Sequence, residues 1–121
     1  MHKGRKISGG KYTKRRKKRL HELPGQRRIV NLGKEKRKNK RIRGGNLKNS
    51  LGGTDSINVF IKGKSKKAKI KNVLETPSNR FLARQNVITK GTIVDTDIGK
   101  VRVTNRPSQE GVLNGVLVEQ A

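Results

Sequence analysis

The sequence predicts a mainly β protein, a small β-barrel body of five or six short strands with one short helix, preceded by a long basic N-terminal extension. Three observations predict it. Apolar residues are scarce before Leu51 and frequent after it, at 10 of the first 50 positions and 25 of the remaining 71. Cations run the other way: residues 1–50 hold 20 Lys and Arg against two acids, a net of +18, while residues 51–121 hold 12 against six, a net of +6. From Ile57 onward the apolar residues alternate with polar ones or form short β-branched runs, the pattern of half-buried strands.

The extension comes first. The 121 residues carry 32 Lys and Arg against 8 Asp and Glu, a formal net charge of +24, and that length allows one ordinary domain. Ordering a chain costs conformational entropy at every residue, and ten apolar side chains in fifty positions return too little burial to offset it. The chain therefore divides into an extended arm, residues 1–50, that needs outside help to order, and a barrel domain, residues 51–121, that can fold alone. Lys14-Arg15-Arg16-Lys17-Lys18-Arg19 is six consecutive cations, and Lys34 to Arg43 adds seven around Glu35. Such blocks repel themselves and stay solvated unless a polyanion neutralises them. Fully stretched, the arm reaches about 165 Å. Glycines and a Pro24-Gly25 turn signal punctuate it, and glycine lets a main chain lie close against a partner. Twenty cations mark it as a binding arm rather than a simple linker.

The body follows in order. Ile57, Val59 and Ile61 alternate, Lys62-Gly63-Lys64-Ser65 turns, and Ala68, Ile70 and Val73 continue as a second strand. Lys62, Lys64, Lys66 and Lys67 cluster around that turn and keep an edge soluble. A helix is expected after Thr76-Pro77, with proline at its first position and Phe81-Leu82-Ala83 inside. Val87-Ile88 begins another strand that Lys90-Gly91 interrupts. Thr92-Ile93-Val94 and Lys100 to Thr104 flank Asp95-Thr96-Asp97-Ile98-Gly99, a hairpin loop with glycine for the left-handed position. Asn105 to Gly111 reads as a polar loop, and Val112 to Val118 as a last strand. Closure into a barrel protects the edges of so small a sheet. Phe60 and Phe81 read as core residues.

Several chemistries are excluded. Without cysteine there is no disulfide framework, thiolate nucleophile or cysteine zinc site. No apolar run exceeds three residues, too short for a membrane span, and Met1-His2-Lys3-Gly4-Arg5-Lys6 leads into no apolar signal region, so a cytosolic protein is expected. His2 and His21 lack further ligands at useful spacing, so no metal site is expected. Asp95 and Asp97 share one strand face and in principle hold Mg²⁺ as a nuclease pair, but turn chemistry accounts for both and no His or Glu completes the site. Ser8 and Thr89 have no histidine to activate them, and no glycine run matches a phosphate-binding loop. The reading is a protein that is not an enzyme, with no cofactor and no small-molecule substrate.

A polyanion remains as the partner. Tyr12, Phe60 and Phe81 are the only aromatics, and of these Tyr12 alone is placed to stack on a base, which points to phosphate binding rather than single-strand reading. The expected partner is a structured nucleic acid bound through its backbone, with affinity falling steeply in salt. An anionic membrane fits poorly, because Lys11 to Arg19 has no apolar face opposite its cations. A DNA-compacting, chromatin-type architectural protein is the alternative, although one arm on one domain lacks the paired minor-groove arms usual there.

Four stretches narrow the choice. Gly4-Arg5-Lys6-Ile7-Ser8-Gly9-Gly10, Arg41-Ile42-Arg43-Gly44-Gly45-Asn46, Asn86-Val87-Ile88-Thr89-Lys90-Gly91, and Gly99-Lys100-Val101-Arg102-Val103-Thr104 running into Arg106-Pro107 resemble small-subunit ribosomal protein eight of the archaeal and eukaryotic type. The resemblance covers nearly the whole chain in order, and its short length is similar to the archaeal branch; Asn105 and Ser108 depart from the smaller Ser and the Gly of that pattern. It implies a structural component of the small ribosomal subunit in the cytoplasm, with a β-barrel body and a basic extension threaded into ribosomal RNA among neighbouring ribosomal proteins. By matching position, the RNA-contacting residues of the arm are Lys3, Arg5, Lys6, Lys11, Lys14, Arg15, Arg16, Lys17, Lys18, Arg19, Arg27, Arg28, Lys34, Lys36, Arg37, Lys40, Arg41, Arg43 and Lys48. The body adds Arg84, Lys90, Arg102 and Arg106, while Gly9, Gly10, Gly44 and Gly45 let the main chain lie against sugar and phosphate.

Overall fold

The computed structural model describes residues 4–118. Lys3 lies outside them. Two sheets make up the fold, and one strand pair hands the chain from the first to the second. The first is open and three-stranded, in the order β1-β3-β2, from β1 (Asn31–Leu32), β2 (Lys36–Arg41) and β3 (Leu47–Thr54). β1 runs parallel to β3, and β2 antiparallel to it. The second is a closed barrel of β4 (Ser56–Ile61), β5 (Lys64–Glu75), β6 (Ile93–Thr96), β7 (Gly99–Val103) and β8 (Asn114–Leu117). Successive strands pair antiparallel, and β8 closes the ring by pairing parallel with β4. Only Asp55 separates β3 from β4, and the Thr54 hydroxyl fixes the bend by donating to the Ser56 carbonyl (3.0 Å) and accepting from the Ser56 N–H (3.2 Å).

Alternation builds the barrel core. Ile57, Val59, Ala68, Ile70, Val94, Val101 and Val103 are buried side chains of the barrel strands, and Val30, Leu51, Ile88 and Leu113 join them from outside the ring to form one cluster. Gly115 occupies the tightest point. It stands between Val59 and Val103 in register, where an added Cβ would lie 2.5 Å from Val101 Cγ1 and 2.9 Å from both the Arg102 carbonyl oxygen and Ile57 Cδ1. So narrow a ring has room at that level for facing side chains from one side only.

The turns follow residue type. Ile61 pairs with Lys64, leaving Lys62-Gly63 as a two-residue loop with φ of 43° and 82°, both positive as a hairpin that keeps the strand twist requires. Thr96 pairs with Gly99 across Asp97-Ile98, and the Thr96 hydroxyl donates to the Gly99 carbonyl at 2.7 Å. In β5 the pairing with β6 skips Lys71, so an extra residue bulges out and the buried side chains change parity between Ile70 and Val73.

Five expectations are corrected. Three strands precede Ile57, where the composition gives none: β2 is exposed on both faces and carries no alternation, so main-chain pairing to β3 is what holds it. Val87-Ile88 is buried but forms no strand; Val87 makes a single antiparallel bridge to Asn31. The helix α1 spans Arg80–Arg84 and starts after Pro77, because Asn79 caps it by accepting the Phe81 N–H at 2.9 Å. The segment from Asn105 to Gly111 contains a helical turn, α2 (Pro107–Glu110), with Pro107 at its start and left-handed Gly111 at its end. Phe60 and Phe81 are not core residues: they are 54% and 61% exposed, and Phe60 stands on the outer barrel face beside half-exposed Val116. Asn79→Ala is expected to lower stability by about 1 kcal/mol through loss of the cap, read as a shift in the denaturant midpoint.

Candidate nucleic-acid interface

A basic cleft forms between the chain that leads into β1, the region around α1 and the start of α2. It begins with the chain before β1: the Ile88 N–H donates to the Val30 carbonyl at 2.8 Å, and the Leu32 N–H donates to the Asn86 carbonyl at 2.9 Å. Buried Val30 and Ile88 anchor that contact, so Arg27, Arg28 and Ile29 are led along the body beside α1 and the loop after it. The start of α2, from Arg106 to Ser108, forms the opposite wall. The cleft is open to solvent along one side, and its volume is about 730 Å³.

The lining is one-sided in charge. Arg27, Arg28, Lys90 and Arg106 surround the cleft, and no acid lines it. None of these four has an ion pair among the described residues. Glu110, the acid of α2, is turned away: it accepts from the Asn105 side-chain amide at 3.0 Å and from the Arg106 N–H at 3.3 Å. Ser78 and Thr89 add hydroxyls 3.4 Å apart, continued by the buried Thr92 hydroxyl 3.1 Å from that of Thr89. Ile29, Leu82 and Pro107 supply an apolar wall. A second hollow of about 590 Å³, lined by Arg28, Lys48, Asn49, Ser108 and Gln109, shares Arg28 and Ser108 with the first and extends the basic surface to Lys48. Unpaired guanidinium and ammonium donors over a hydroxyl floor suit a phosphodiester, with Arg able to bind two oxygens at once.

The structure thus gathers Arg27, Arg28, Lys48, Lys90 and Arg106 from separate places in the sequence. The other expected RNA-binding residues are distributed. Arg5 bridges to Lys11 across a tight turn in which the Gly9 N–H donates to the Lys6 carbonyl at 2.8 Å, Gly10 follows, and the Lys6 ammonium lies 5.8 Å from the Tyr12 ring centre. Lys14, Arg15, Lys17, Lys18 and Arg19 are exposed and make no ion pair among the described residues. Arg16 differs: its guanidinium grips the Glu22 carboxylate with two hydrogen bonds, one of 2.8 Å. That bond raises the Arg16 pKa, and the same bond with help from the Arg19 N–H lowers that of Glu22. Lys34 and Gly33 lead into β2, where Lys36, Arg37, Lys40 and Arg41 are exposed and Arg37 pairs with Glu35. Lys40 stands opposite Lys48 in register, a like-charge pair that an anion between them would relieve. Arg43 is exposed in the loop joining β2 to β3, and Gly44 and Gly45 both take left-handed conformations there (φ 82° and 79°), so turn closure gives these glycines a local reason. Arg84 ends α1, and Arg102 lies on the outer face of β7.

Sequence reasoning missed Lys38, exposed in β2 between Arg37 and Lys40, although the charged run was its signal. It also missed the Ser78, Thr89 and Ser108 hydroxyls, which only the fold brings to the cleft. Asp97 lies in the turn after β6 with the Lys71 ammonium 3.5 Å away, and among the described residues no group of His, Cys, Asp or Glu is arranged to hold a metal.

Comparison with known proteins shows the family. The chain is 46% identical to the small ribosomal subunit protein eS8 of Nanoarchaeum equitans, over 95% of this chain and 92% of that one. It is 50% identical to the eS8 protein of Staphylothermus marinus, over 96% and 93%, and 45% identical to that of Pyrobaculum aerophilum, over 95% and 91%. The profile of the family described as ribosomal protein S8e matches residues 1–118, and the chain belongs to that family.

Proposed function

We propose that this protein is a structural constituent of the small ribosomal subunit, in the cytoplasm, where it binds ribosomal RNA and packs among neighbouring ribosomal proteins. The barrel is the folding unit, and the basic N-terminal region is the arm, whose segment from Gly4 to Gln26 is exposed at every position and orders on the RNA. The relatives' name as small ribosomal subunit proteins supports the assembly. One observation carries the RNA reading: cations of the arm and cations of the body, with no acid among them, converge on a single cleft. Contacts to phosphate position the protein, and the affinity comes largely from released counterions. Neither a nucleophile nor a general base takes part, and the role is binding alone.

The test is sedimentation. The full chain is expected to migrate with small ribosomal subunits through a gradient at roughly 0.5 M salt and to bind duplex DNA at least tenfold more weakly than structured ribosomal RNA. Release from subunits at that salt, together with equal affinity for duplex DNA, would replace this reading with DNA compaction.

A further inference from the structure

We propose that the cleft between Arg27–Ile29, α1 and α2 takes one unstacked nucleotide of the bound RNA. Its phosphate meets Arg27, Arg28 and Arg106, and its base lies against Ile29, Leu82 and Pro107. The inference rests on the RNA-binding reading above and deepens it, turning a surface that meets backbone into one that also holds a single base.

Volume argues first. At about 730 Å³ the open cleft falls within the size range of small-ligand sites, roughly 300–1,000 Å³. An intact RNA helix shows its phosphates on the outside and keeps its bases stacked, so it has nothing to insert; a bulged or looped nucleotide does.

Composition argues second. A phosphate needs only the cations. Ile29 is 53% exposed and Leu82 is half-buried, so apolar surface lines the cleft together with four unpaired charges. That pairing of a wet wall with a dry one matches a nucleotide, charged at one end and flat and apolar at the other. The guanidinium planes of Arg27 and Arg28 offer a second stacking surface for the base. The Ser78 and Thr89 hydroxyls, linked at 3.4 Å, can donate to or accept from a base edge or a ribose 2′-hydroxyl, which DNA lacks.

The experiment titrates the full chain with two hairpin RNAs of equal length, one fully paired and one carrying a single bulged nucleotide, by fluorescence anisotropy at roughly 0.15 M salt. The bulged RNA is expected to bind about tenfold tighter. Ser78→Trp fills the cleft from an exposed position whose one side-chain hydrogen bond is to Thr89, and it is expected to abolish the preference for the bulged hairpin. A second measurement keeps the outcome clear if that variant folds poorly. A 2-aminopurine at the bulge is expected to change its fluorescence on binding the wild-type chain and not on binding the Arg27→Ala, Arg106→Ala double variant. Equal affinity for the two hairpins, or a preference that survives Ser78→Trp and the double variant, overturns the cleft assignment and leaves backbone binding intact. Failure to bind either hairpin overturns both.

Discussion

Replacing Gly115 with alanine is expected to destabilise the barrel by about 3 kcal/mol, the upper end of the range for overpacked cores, and to lower its melting temperature by roughly 15 °C. The new methyl would meet a Val101 methyl at 2.5 Å, and an approach that close cannot be tolerated without displacement. Relief by backbone movement is blocked on both sides, since Gly115 is in register with Val59 on β4 and Val103 on β7. Gly4→Ala serves as the comparison, because a Cβ there meets nothing within 4 Å. Thermal unfolding followed by circular dichroism reads both. A shift below about 3 °C for Gly115→Ala would show that β8 can move outward and that the ring is looser than its register implies.

The second large effect lies in the arm. Serine at Lys14, Arg15, Lys17, Lys18 and Arg19 together is expected to flatten the plot of log affinity against log salt for structured ribosomal RNA by up to about 4, close to one for each phosphate no longer neutralised. Arg16 is left in place because its guanidinium is committed to Glu22 and its removal would free a carboxylate. Serine at Lys64, Lys66 and Lys67, which flank the β4–β5 turn, is expected to change that slope by less than about 1. If the arm variant keeps the parent slope, the six-cation run does not touch phosphate.

Much of the barrel could be read from residue order alone, because a strand with one buried face advertises its period. Ile57, Val59 and Ile61 define β4, and the turn signal at Asp95–Gly99 locates β6 and β7, although only Asp97 and Ile98 of it lie between the strands and the rest pairs within them. Where the period breaks, so does the reading. The bulge at Lys71 moves the inward side chains of β5 from even to odd positions. Phe60 shows residue type overriding pattern: the alternation that turns Val59 and Ile61 inward already sends Phe60 outward. β2 has no buried face and therefore no period, and Val30 and Leu51 enter the core from a segment otherwise too polar to attract notice. The cations that line the cleft could be picked out because charge is written residue by residue. The cleft could not, because it joins positions 27–29, 78–90 and 106–108, which nothing short of the fold brings together.

The parallel closure of the ring has a consequence for synthesis. Asn58 and Asn114, whose side chains join at 3.1 Å across the closing pair, stand 56 positions apart, so β4 keeps an open flank until β8 has left the ribosome making it. At typical translation rates that interval is about 3–11 s, whereas the positively charged segment ahead of β4 has emerged before it. If the arm binds RNA as proposed, a nascent copy is captured while half its body is still being made.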